Sequence, residues 1–422
     1  MLDKIFNMFK NKKSTDYVIL GASAAGINAA KTLRELDSEA NIIIISKDEK
    51  IYSRCMLHHV ISNHKTVEDI NFAGDKFIEE NNINWIKGRS VKSIDSEEKL
   101  VELEDQIIQY DKLLIATGAS AFIPPIKHLR DGNFVYTLRN IDEIDKIKEK
   151  ASQSKKAAII GAGLVGIDAL AGLLEYKNLE VSLVYNGKRI LDKQLDKYSA
   201  STYEDKFIEK GAKLYPNSAI KEIVLEANKD VKGIKFEDGS ILESDMIIVA
   251  TGVAPNAGFI DSTKIEYNRG IVINDKCETT EKDIYAAGDV VGKNAIWPLA
   301  VKQGIVAAYN MLGKEKQIDD NFAFKNSMNF MGIATVSLGL TSPPDEEYKV
   351  ISRCDEKGYK KFVYKDNVIY GLVAQGDISY TGTIAYLIKN KIEIPNLEDR
   401  IFDVGYADFL ALKENGEFCY NI

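Results

Sequence analysis

The stretch "AAIIGAGLVGIDALAGLLEYKNLEVSLVY" (Ala157–Tyr185) joins two apolar runs through a glycine-rich turn and a helix-length segment. This order predicts a β-strand, a tight turn, an amphipathic helix and a second buried strand, which form one βαβ repeat. Glycine occupies positions 161, 163 and 166 of the turn. That spacing lets the backbone approach a pyrophosphate at the positive end of the helix. The segment therefore predicts a dinucleotide-binding unit.

A second copy of the pattern lies nearer the amino terminus, as "YVILGASAAGINAAKTLRELDSEANIIIIS" (Tyr17–Ser46). Here the turn reads Gly21, Ser23, Gly26, so a small serine replaces the middle glycine. Two copies predict two nucleotide sites. The residues of the two turns that are expected to bind cofactor are Gly21, Ser23, Ala24, Ala25 and Gly26 in the first copy and Gly161, Gly163, Leu164, Val165 and Gly166 in the second.

Each copy is followed, at a similar distance, by a near-identical strand and turn. These are "YDKLLIATGAS" (Tyr110–Ser120) and "SDMIIVATGVAPN" (Ser244–Asn256). Open α/β sheets bind ligands at the carboxyl ends of their strands, where both glycine turns are expected to lie. The further predicted cofactor contacts are Ala116, Thr117 and Gly118, and Ala250, Thr251 and Gly252.

Length and composition limit the class of protein. A chain of 422 residues exceeds one typical core and predicts two or three domains. A net charge of −8 argues against nucleic-acid binding, and no apolar run approaches the roughly 18 residues of a membrane span. The four cysteines, without metal-site spacing, predict neither a zinc site nor a disulfide framework and favour a reducing cytoplasm; they are Cys55, Cys277, Cys354 and Cys419. No metal site is expected.

The first residues, "MLDKIFNMFKNKK", carry apolar side chains at helical spacing with lysines opposite. The apolar positions are Leu2, Ile5, Phe6 and Phe9. An interfacial or docking helix is one interpretation. A loosely ordered leader is preferred, because chain termini are usually poorly ordered.

A third motif makes the pattern specific. "EKDIYAAGDVV" (Glu281–Val291), together with the two glycine turns, resembles the FAD-dependent pyridine-nucleotide oxidoreductases of the two-Rossmann type over about residues 15 to 320. The resemblance implies FAD and NAD(P)H as cofactors. It also implies that the turn at Gly288 and Asp289 binds FAD, with the Asp289 carboxylate at the ribityl and phosphate region.

The same resemblance implies how the domains are arranged. The fold class is α/β, with two Rossmann-like dinucleotide-binding domains and a C-terminal α+β domain. Residues 15–125 and 262–320 are expected to bind FAD, and residues 126–261 to bind the nicotinamide cofactor. A leader at 1–14 and the C-terminal domain at 321–422 complete the chain.

The ends of the second strands bear on ribose recognition. An acid there usually selects NAD, whereas a nearby arginine accommodates the 2′-phosphate of NADP. This chain has Tyr185 at that position, with Lys188 and Arg189 downstream, so the choice stays open, and NADH is expected to serve at least as well as NADPH. Asp168 stands where many relatives carry a glutamate near the nicotinamide. The candidates for the FAD ribose are Ser46, Asp48 and Glu49, of which Ser46 is preferred.

The segment "YSRCMLHHVIS" (Tyr52–Ser62) combines features of two branches of the family. Rubredoxin-reductase and nitrite-reductase-like relatives share the residues that occur here as Tyr52, Ser53, Arg54 and Leu57. Cys55 instead occupies the position of the nucleophile of single-cysteine NADH oxidases, peroxidases and coenzyme A-disulfide reductases. Arg54 and a following helix would favour a thiolate, which makes Cys55 a candidate redox residue. A buried packing cysteine is the preferred alternative; Arg54 is expected to contact cofactor.

The last part of the chain predicts a helix and then a sheet. "WPLAVKQGIVAAYNMLG" (Trp297–Gly313) reads as a helix with a glycine stop and resembles the family helix whose amino end faces the flavin. "KKFVYKDNVIYGLVAQG" (Lys360–Gly376) predicts antiparallel strands of an α+β cap. The cap is expected to control acceptor access, to form a homodimer interface, or both.

Together these features predict a cytoplasmic FAD-dependent enzyme that takes hydride from NAD(P)H and passes electrons to a small redox protein such as rubredoxin, or to a related soluble acceptor. One alternative is a single-cysteine NADH oxidase or peroxidase, or a coenzyme A-disulfide reductase, that uses Cys55. Another is a non-catalytic flavin-bearing subunit.

Overall fold

The computed structural model describes residues 16–292, 295–318 and 325–420 of the chain. The predicted leader at 1–14 lies outside these residues. The described residues form two compact units. Unit 1 comprises 16–122, 139–141, 253–292 and 295–318, and unit 2 comprises 123–138, 142–252 and 325–420.

The helices and strands of the described residues follow in chain order. The α-helices are α1 (Ala24–Leu36), α2 (Leu57–Ile61), α3 (Phe77–Glu80), α4 (Asp142–Gln153), α5 (Leu164–Leu173), α6 (Lys197–Glu209), α7 (Trp297–Met311), α8 (Thr381–Asn390) and α9 (Leu397–Arg400). The strands are β1 (Asp16–Leu20), β2 (Asn41–Ser46), β3 (Ile83–Lys87), β4 (Val91–Asp95), β5 (Leu100–Leu103), β6 (Ile107–Gln109), β7 (Lys112–Ile115), β8 (Ala119–Ala121), β9 (Val135–Thr137), β10 (Lys156–Ile160), β11 (Glu180–Val184), β12 (Lys213–Tyr215), β13 (Ile220–Leu225), β14 (Val231–Phe236), β15 (Ile241–Glu243), β16 (Met246–Val249), β17 (Val253–Pro255), β18 (Ile284–Ala286), β19 (Lys325–Phe330), β20 (Ile333–Gly339), β21 (Lys349–Asp355), β22 (Gly358–Lys365), β23 (Val368–Gly376), β24 (Leu410–Leu412) and β25 (Phe418–Tyr420). None of these helices is long and apolar enough to cross a membrane.

Unit 1 is built on a parallel sheet with the strand order β18-β7-β1-β2-β3. Both faces of this sheet are buried. Along β1, Tyr17 and Ile19 pack into one hydrophobic cluster, while Val18 and Leu20 pack into a second one. Burial on both faces explains why β1 carries four consecutive buried apolar residues after Asp16 rather than an alternating pattern.

Helices α1 and α7 belong to the same hydrophobic cluster of unit 1 and approach each other closely. A Cβ added at Gly304 of α7 would lie 2.2 Å from the carbonyl oxygen of Ala25 in α1. Only glycine permits this separation. The helix predicted from Trp297 is confirmed, and it ends at Met311 with Gly313 in the left-handed region just beyond.

Unit 2 repeats the arrangement with the parallel order β12-β11-β10-β16-β9. Strand β10 lies between β11 and β16, as β1 lies between β2 and β7. The two predicted βαβ repeats are thereby confirmed. The assignment of FAD to 15–125 with 262–320, and of NAD(P) to 126–261, stays a prediction.

The C-terminal part of unit 2 is an antiparallel sheet with the order β19-β20-β23-β22-β21. Helix α8 packs on this sheet through Ile384, Leu387 and Ile388. The predicted α+β cap is therefore confirmed. Helix α6 also contacts this sheet, because the Tyr203 hydroxyl lies 2.7 Å from both the Ile333 carbonyl and the Thr335 hydroxyl.

Candidate functional site

The first glycine turn joins β1 to α1 in a conformation that requires glycine. Gly21 has φ +118°, and a Cβ there would lie 2.2 Å from the carbonyl oxygen of Ala116. A Cβ at Gly26 would lie 1.9 Å from the Gly21 carbonyl oxygen. The structure thus brings the predicted Gly21 turn and the predicted Ala116 turn into direct contact.

The amino end of α1 is open to an anion. Ser23 is the N-cap residue, but its side chain makes no capping hydrogen bond, and the first turn contains no acidic residue. The first N–H groups of a helix have no partner within the helix and carry its partial positive charge. The segment from Ser23 to Gly26 therefore fits a pyrophosphate, as predicted for FAD.

The second glycine turn has the same construction. Gly161 has φ +109° and approaches Ala250, while a Cβ at Gly166 would lie 1.9 Å from the Gly161 carbonyl oxygen. Gly163 is exposed, a Cβ there would meet no atom within 4 Å, and α5 begins after it at Leu164 and Val165 without a side-chain cap. The free space beside an uncapped helix end fits the pyrophosphate of a nicotinamide cofactor.

The two turns that follow β7 and β16 differ in their surroundings. Thr117 is tied to Asn256 in both directions, since its hydroxyl donates to the Asn256 carbonyl at 2.7 Å and its own carbonyl accepts from the Asn256 side chain at 3.1 Å. Gly118 has φ +67°. Thr251 and Gly252 are both exposed. They leave the end of β16 accessible to a ligand.

The acid of the third motif is held by an arginine that sequence reasoning missed. Asp289 Oδ2 accepts from Arg139 Nη2 at 2.6 Å, and Arg139 Nε donates to the Ala119 carbonyl at 2.9 Å. Gly288 has φ +81°, and its N–H donates to the buried Gln303 at 2.8 Å. Arg139 belongs to no motif, so the sequence offered no signal for it.

The end of β2 leads into a hydrogen-bonded network. The Ser46 hydroxyl donates to the Asp48 carbonyl at 2.6 Å and accepts from Trp85 Nε1 at 2.8 Å. Arg54 Nη2 donates to the Asp48 carboxylate at 2.5 Å, and the Tyr52 hydroxyl donates to the same carboxylate at 3.1 Å. Ser46 and Arg54, both predicted to contact cofactor, therefore hydrogen-bond to the same residue, Asp48. Their contacts to FAD stay a prediction.

Burial keeps Tyr52 protonated. Its side chain is 1% exposed, and burial raises its pKa to about 12. Its hydroxyl also accepts from the Ile141 N–H at 3.2 Å. Tyr52 is therefore a fixed neutral donor that anchors the start of the cysteine segment.

Cys55 lies in a 3₁₀ turn (Arg54–Met56) just before α2, and its side chain is exposed. The interpretation of Cys55 as a buried packing residue is therefore wrong, since Cys55 is exposed whereas Leu57 and Val60 of α2 are buried. Burial lowers the pKa of His58, three residues after Cys55, to about 4. His58 is accordingly neutral at physiological pH.

The end of β11 carries the predicted Tyr185, which is buried. Its hydroxyl donates to Glu204 Oε1 at 3.4 Å, and burial together with that carboxylate raises its pKa. Arg189 donates to the carbonyls of Leu195 and Asp192. Asp168 is half-buried in α5, and desolvation raises the pKa of its carboxyl group well above the ordinary value.

Metal ligation has no basis in the described residues, which contain no group of three or more His, Cys, Asp or Glu side chains suited to a metal ion.

Known families match most of the chain. Residues 15–304 match the family described as pyridine nucleotide-disulphide oxidoreductase. Residues 325–392 match the rubredoxin NAD+ reductase C-terminal domain.

Individual relatives match the chain over nearly its whole length. NADH-rubredoxin oxidoreductase of Clostridium acetobutylicum is 32% identical over 394 residues, which cover 91% of this chain and 97% of that protein. The crystal structure of the NADH:rubredoxin oxidoreductase from that organism has a TM-score of 0.76 at 31% identity and covers 93% of this chain and 100% of the solved one. The epsilon subunit of an NADH-dependent phenylglyoxylate dehydrogenase of Aromatoleum evansii is 30% identical over 401 residues, covering 92% of this chain and 94% of that subunit.

Proposed function

The chain belongs to the pyridine nucleotide-disulphide oxidoreductase family and is an FAD-dependent NAD(P)H oxidoreductase, and from this premise we propose that it passes electrons to a small redox protein of the rubredoxin type. The predicted family, cofactors and enzyme class are confirmed. The acceptor is the part that is proposed.

The C-terminal sheet carries this proposal. Residues 325–392 match the C-terminal domain of rubredoxin NAD+ reductases, and the relative named as an NADH-rubredoxin oxidoreductase aligns with this chain over 97% of its length. The segment from Tyr52 to Leu57 supports the same branch, because its tyrosine, serine, arginine and leucine resemble those of rubredoxin-reductase-like relatives.

FAD, when bound, would supply the hydride- and electron-transfer chemistry that links NAD(P)H to the acceptor. The residues of the chain bind and orient the two cofactors. The uncapped amino ends of α1 and α5 offer N–H groups to the two pyrophosphates. Asp289, fixed by Arg139, is proposed to contact the ribityl and phosphate region.

A panel of acceptors tests the proposal. The flavin-loaded protein would be mixed anaerobically with NADH and then with rubredoxin, oxygen, peroxide, coenzyme A disulfide or nitrite. We expect kcat/KM for rubredoxin to exceed that for every other acceptor by at least about tenfold, which corresponds to about 1.4 kcal/mol of transition-state stabilisation. Rubredoxin reduction no faster than oxygen reduction would refute the proposed acceptor.

A second candidate function, reduction of peroxide or a disulfide through Cys55, is favoured by the exposure of that thiol. Under the proposed function, Cys55→Ser leaves NADH-driven rubredoxin reduction unchanged, because hydride reaches the flavin before any thiol reacts. Anaerobic reductive titration should then consume about two electrons per wild-type protein. The exposed Cys354 provides a matched control as Cys354→Ser. Uptake of about four electrons by wild type, lost only in Cys55→Ser, would favour the second candidate.

A further inference from the structure

The strand that should supply an acid to the adenosine ribose of the nicotinamide cofactor ends here without one. Strand β11 ends at Val184 and is followed by Tyr185, Asn186 and Gly187. A carboxylate at this point normally accepts hydrogen bonds from the ribose hydroxyls. Tyr185 is neutral and buried, so the position itself cannot supply that charge.

A carboxylate reaches this place from a different element. Glu204, on α6, accepts from the Ile190 N–H at 3.0 Å through Oε1, and the same oxygen lies 3.4 Å from the Tyr185 hydroxyl. Its other oxygen, Oε2, makes no hydrogen bond to any described residue. The side chain is half-buried, so it is fixed by its neighbours while one oxygen stays available.

The segment held by Glu204 touches the second glycine turn. The N–H of Leu191, the residue after Ile190, donates to the carbonyl of Ala162 at 2.9 Å. Ala162 lies between Gly161 and Gly163. Glu204 therefore bonds to Ile190, and the next residue, Leu191, bonds to the loop that is proposed to bind the pyrophosphate. The adenosine ribose is expected in this neighbourhood.

The arginine that would favour NADPH, Arg189, is already engaged. Arg189 Nε donates to the Leu195 carbonyl at 3.3 Å, and Nη2 donates to the Asp192 carbonyl at 3.2 Å. A bidentate contact between Arg189 and a 2′-phosphate would compete with these two hydrogen bonds. The Glu204 carboxylate, near an Arg189 that is already bonded to carbonyls of its own loop, favours binding of a ribose diol over binding of a 2′-phosphate.

We propose that Glu204 is the residue that selects NADH in this chain: Oε2 accepts hydrogen bonds from the adenosine ribose hydroxyls, and its charge repels a 2′-phosphate. The inference rests on the proposed use of a nicotinamide donor and names the residue that discriminates between the two donors. The acid is carried by helix α6 instead of by the strand end.

Binding of ADP-ribose and 2′-phospho-ADP-ribose to the flavin-loaded protein, measured by calorimetry, tests this assignment without any electron acceptor. Glu204→Gln should weaken ADP-ribose binding by about 10- to 100-fold, because a charge-assisted hydrogen bond to the ribose is lost. Binding of 2′-phospho-ADP-ribose should be unchanged or tighter, because the repulsion between the carboxylate and the 2′-phosphate is lost as well. The apparent Kd for NADH in anaerobic flavin reduction should rise equally, with the limiting rate unchanged. Glu204→Lys should reverse the preference toward the phosphorylated probe.

Asp205→Asn is the matched control, since it removes one charge from the exposed neighbouring position and should bind both probes like wild type. Retention of the wild-type preference in Glu204→Gln would overturn the assignment. Equal weakening of both probes would also overturn it, because it would show that Glu204 only stabilises the loop at Ile190. If wild type binds neither probe, the nicotinamide site is wrong and the proposed function fails with it. If wild type prefers ADP-ribose but the variant does too, only Glu204 fails.

Discussion

Gly26→Ala is expected to yield a protein that no longer retains FAD. The added Cβ would lie 1.9 Å from the Gly21 carbonyl oxygen and 3.0 Å from its carbonyl carbon. Both are backbone atoms of the turn that is proposed to bind the pyrophosphate, so α1 must move away from β1. Overpacking of this severity costs roughly 3 kcal/mol or more, equivalent to a loss of FAD affinity of more than about a hundredfold. The flavin-to-protein absorbance ratio, before and after added FAD, measures the effect.

Two other glycines separate this effect from general destabilisation. Gly382 lies in α8, where a Cβ would meet no atom within 4 Å, and Gly382→Ala should retain FAD fully. Gly166→Ala carries the same 1.9 Å clash in unit 2, so it should retain FAD but lose reduction by NADH. A Gly26→Ala protein with a wild-type flavin content would contradict the role assigned to the first turn.

The βαβ repeats could be predicted because their signal is local. Each occupies about thirty consecutive residues, and the glycine positions follow from close backbone contacts that any sequence must respect. Gly21 and Gly161 both have positive φ, and a Cβ at either position would lie 2.2 or 2.3 Å, respectively, from a backbone carbonyl oxygen. The paired turns at Ala116 and Ala250 could also be predicted because each is marked by a short local stretch of sequence.

Side-chain partners from distant parts of the chain could not be predicted. Arg139 and Asp289 are 150 positions apart, and nothing in the sequence around Arg139 marks it. Glu204 was missed because a ribose acid is expected at the strand end, whereas this carboxylate comes from a helix. The burial expected for Cys55 rests on the usual fate of a free cysteine, which says nothing about this position, where the 3₁₀ turn (Arg54–Met56) contains no buried residue.

A buried ionic contact within unit 2 joins α6 to the C-terminal sheet. Asp196 caps α6 by accepting from the Ser199 N–H at 3.0 Å. The same side chain accepts from the Tyr359 hydroxyl at 2.6 Å and lies 3.3 Å from Lys361 Nζ. Asp196 and Lys361 are each 11% exposed at their side chains. The Asp196 carboxylate therefore compensates the charge of Lys361 where the sheet meets α6.

Asp196→Ala should destabilise the C-terminal sheet by roughly 3–5 kcal/mol, because it leaves Lys361 buried without its counter-charge and removes the helix cap. Hydrogen exchange of the β20, β22 and β23 amides measures this loss, and the exposed Asp192→Ala should have no effect.

Burial alone would raise the pKa of Asp196, but hydrogen bonds from Ser199 and Tyr359 and the charge of Lys361 outweigh it and lower the pKa. The stabilisation is therefore fully present above the unfolded-state pKa of about 3.9 and is lost as pH falls through the lower folded-state pKa. The difference between wild type and Asp196→Ala should shrink over that acidic range; a difference that stays constant down to the lowest pH at which the sheet is folded would show that the carboxylate charge is not its source.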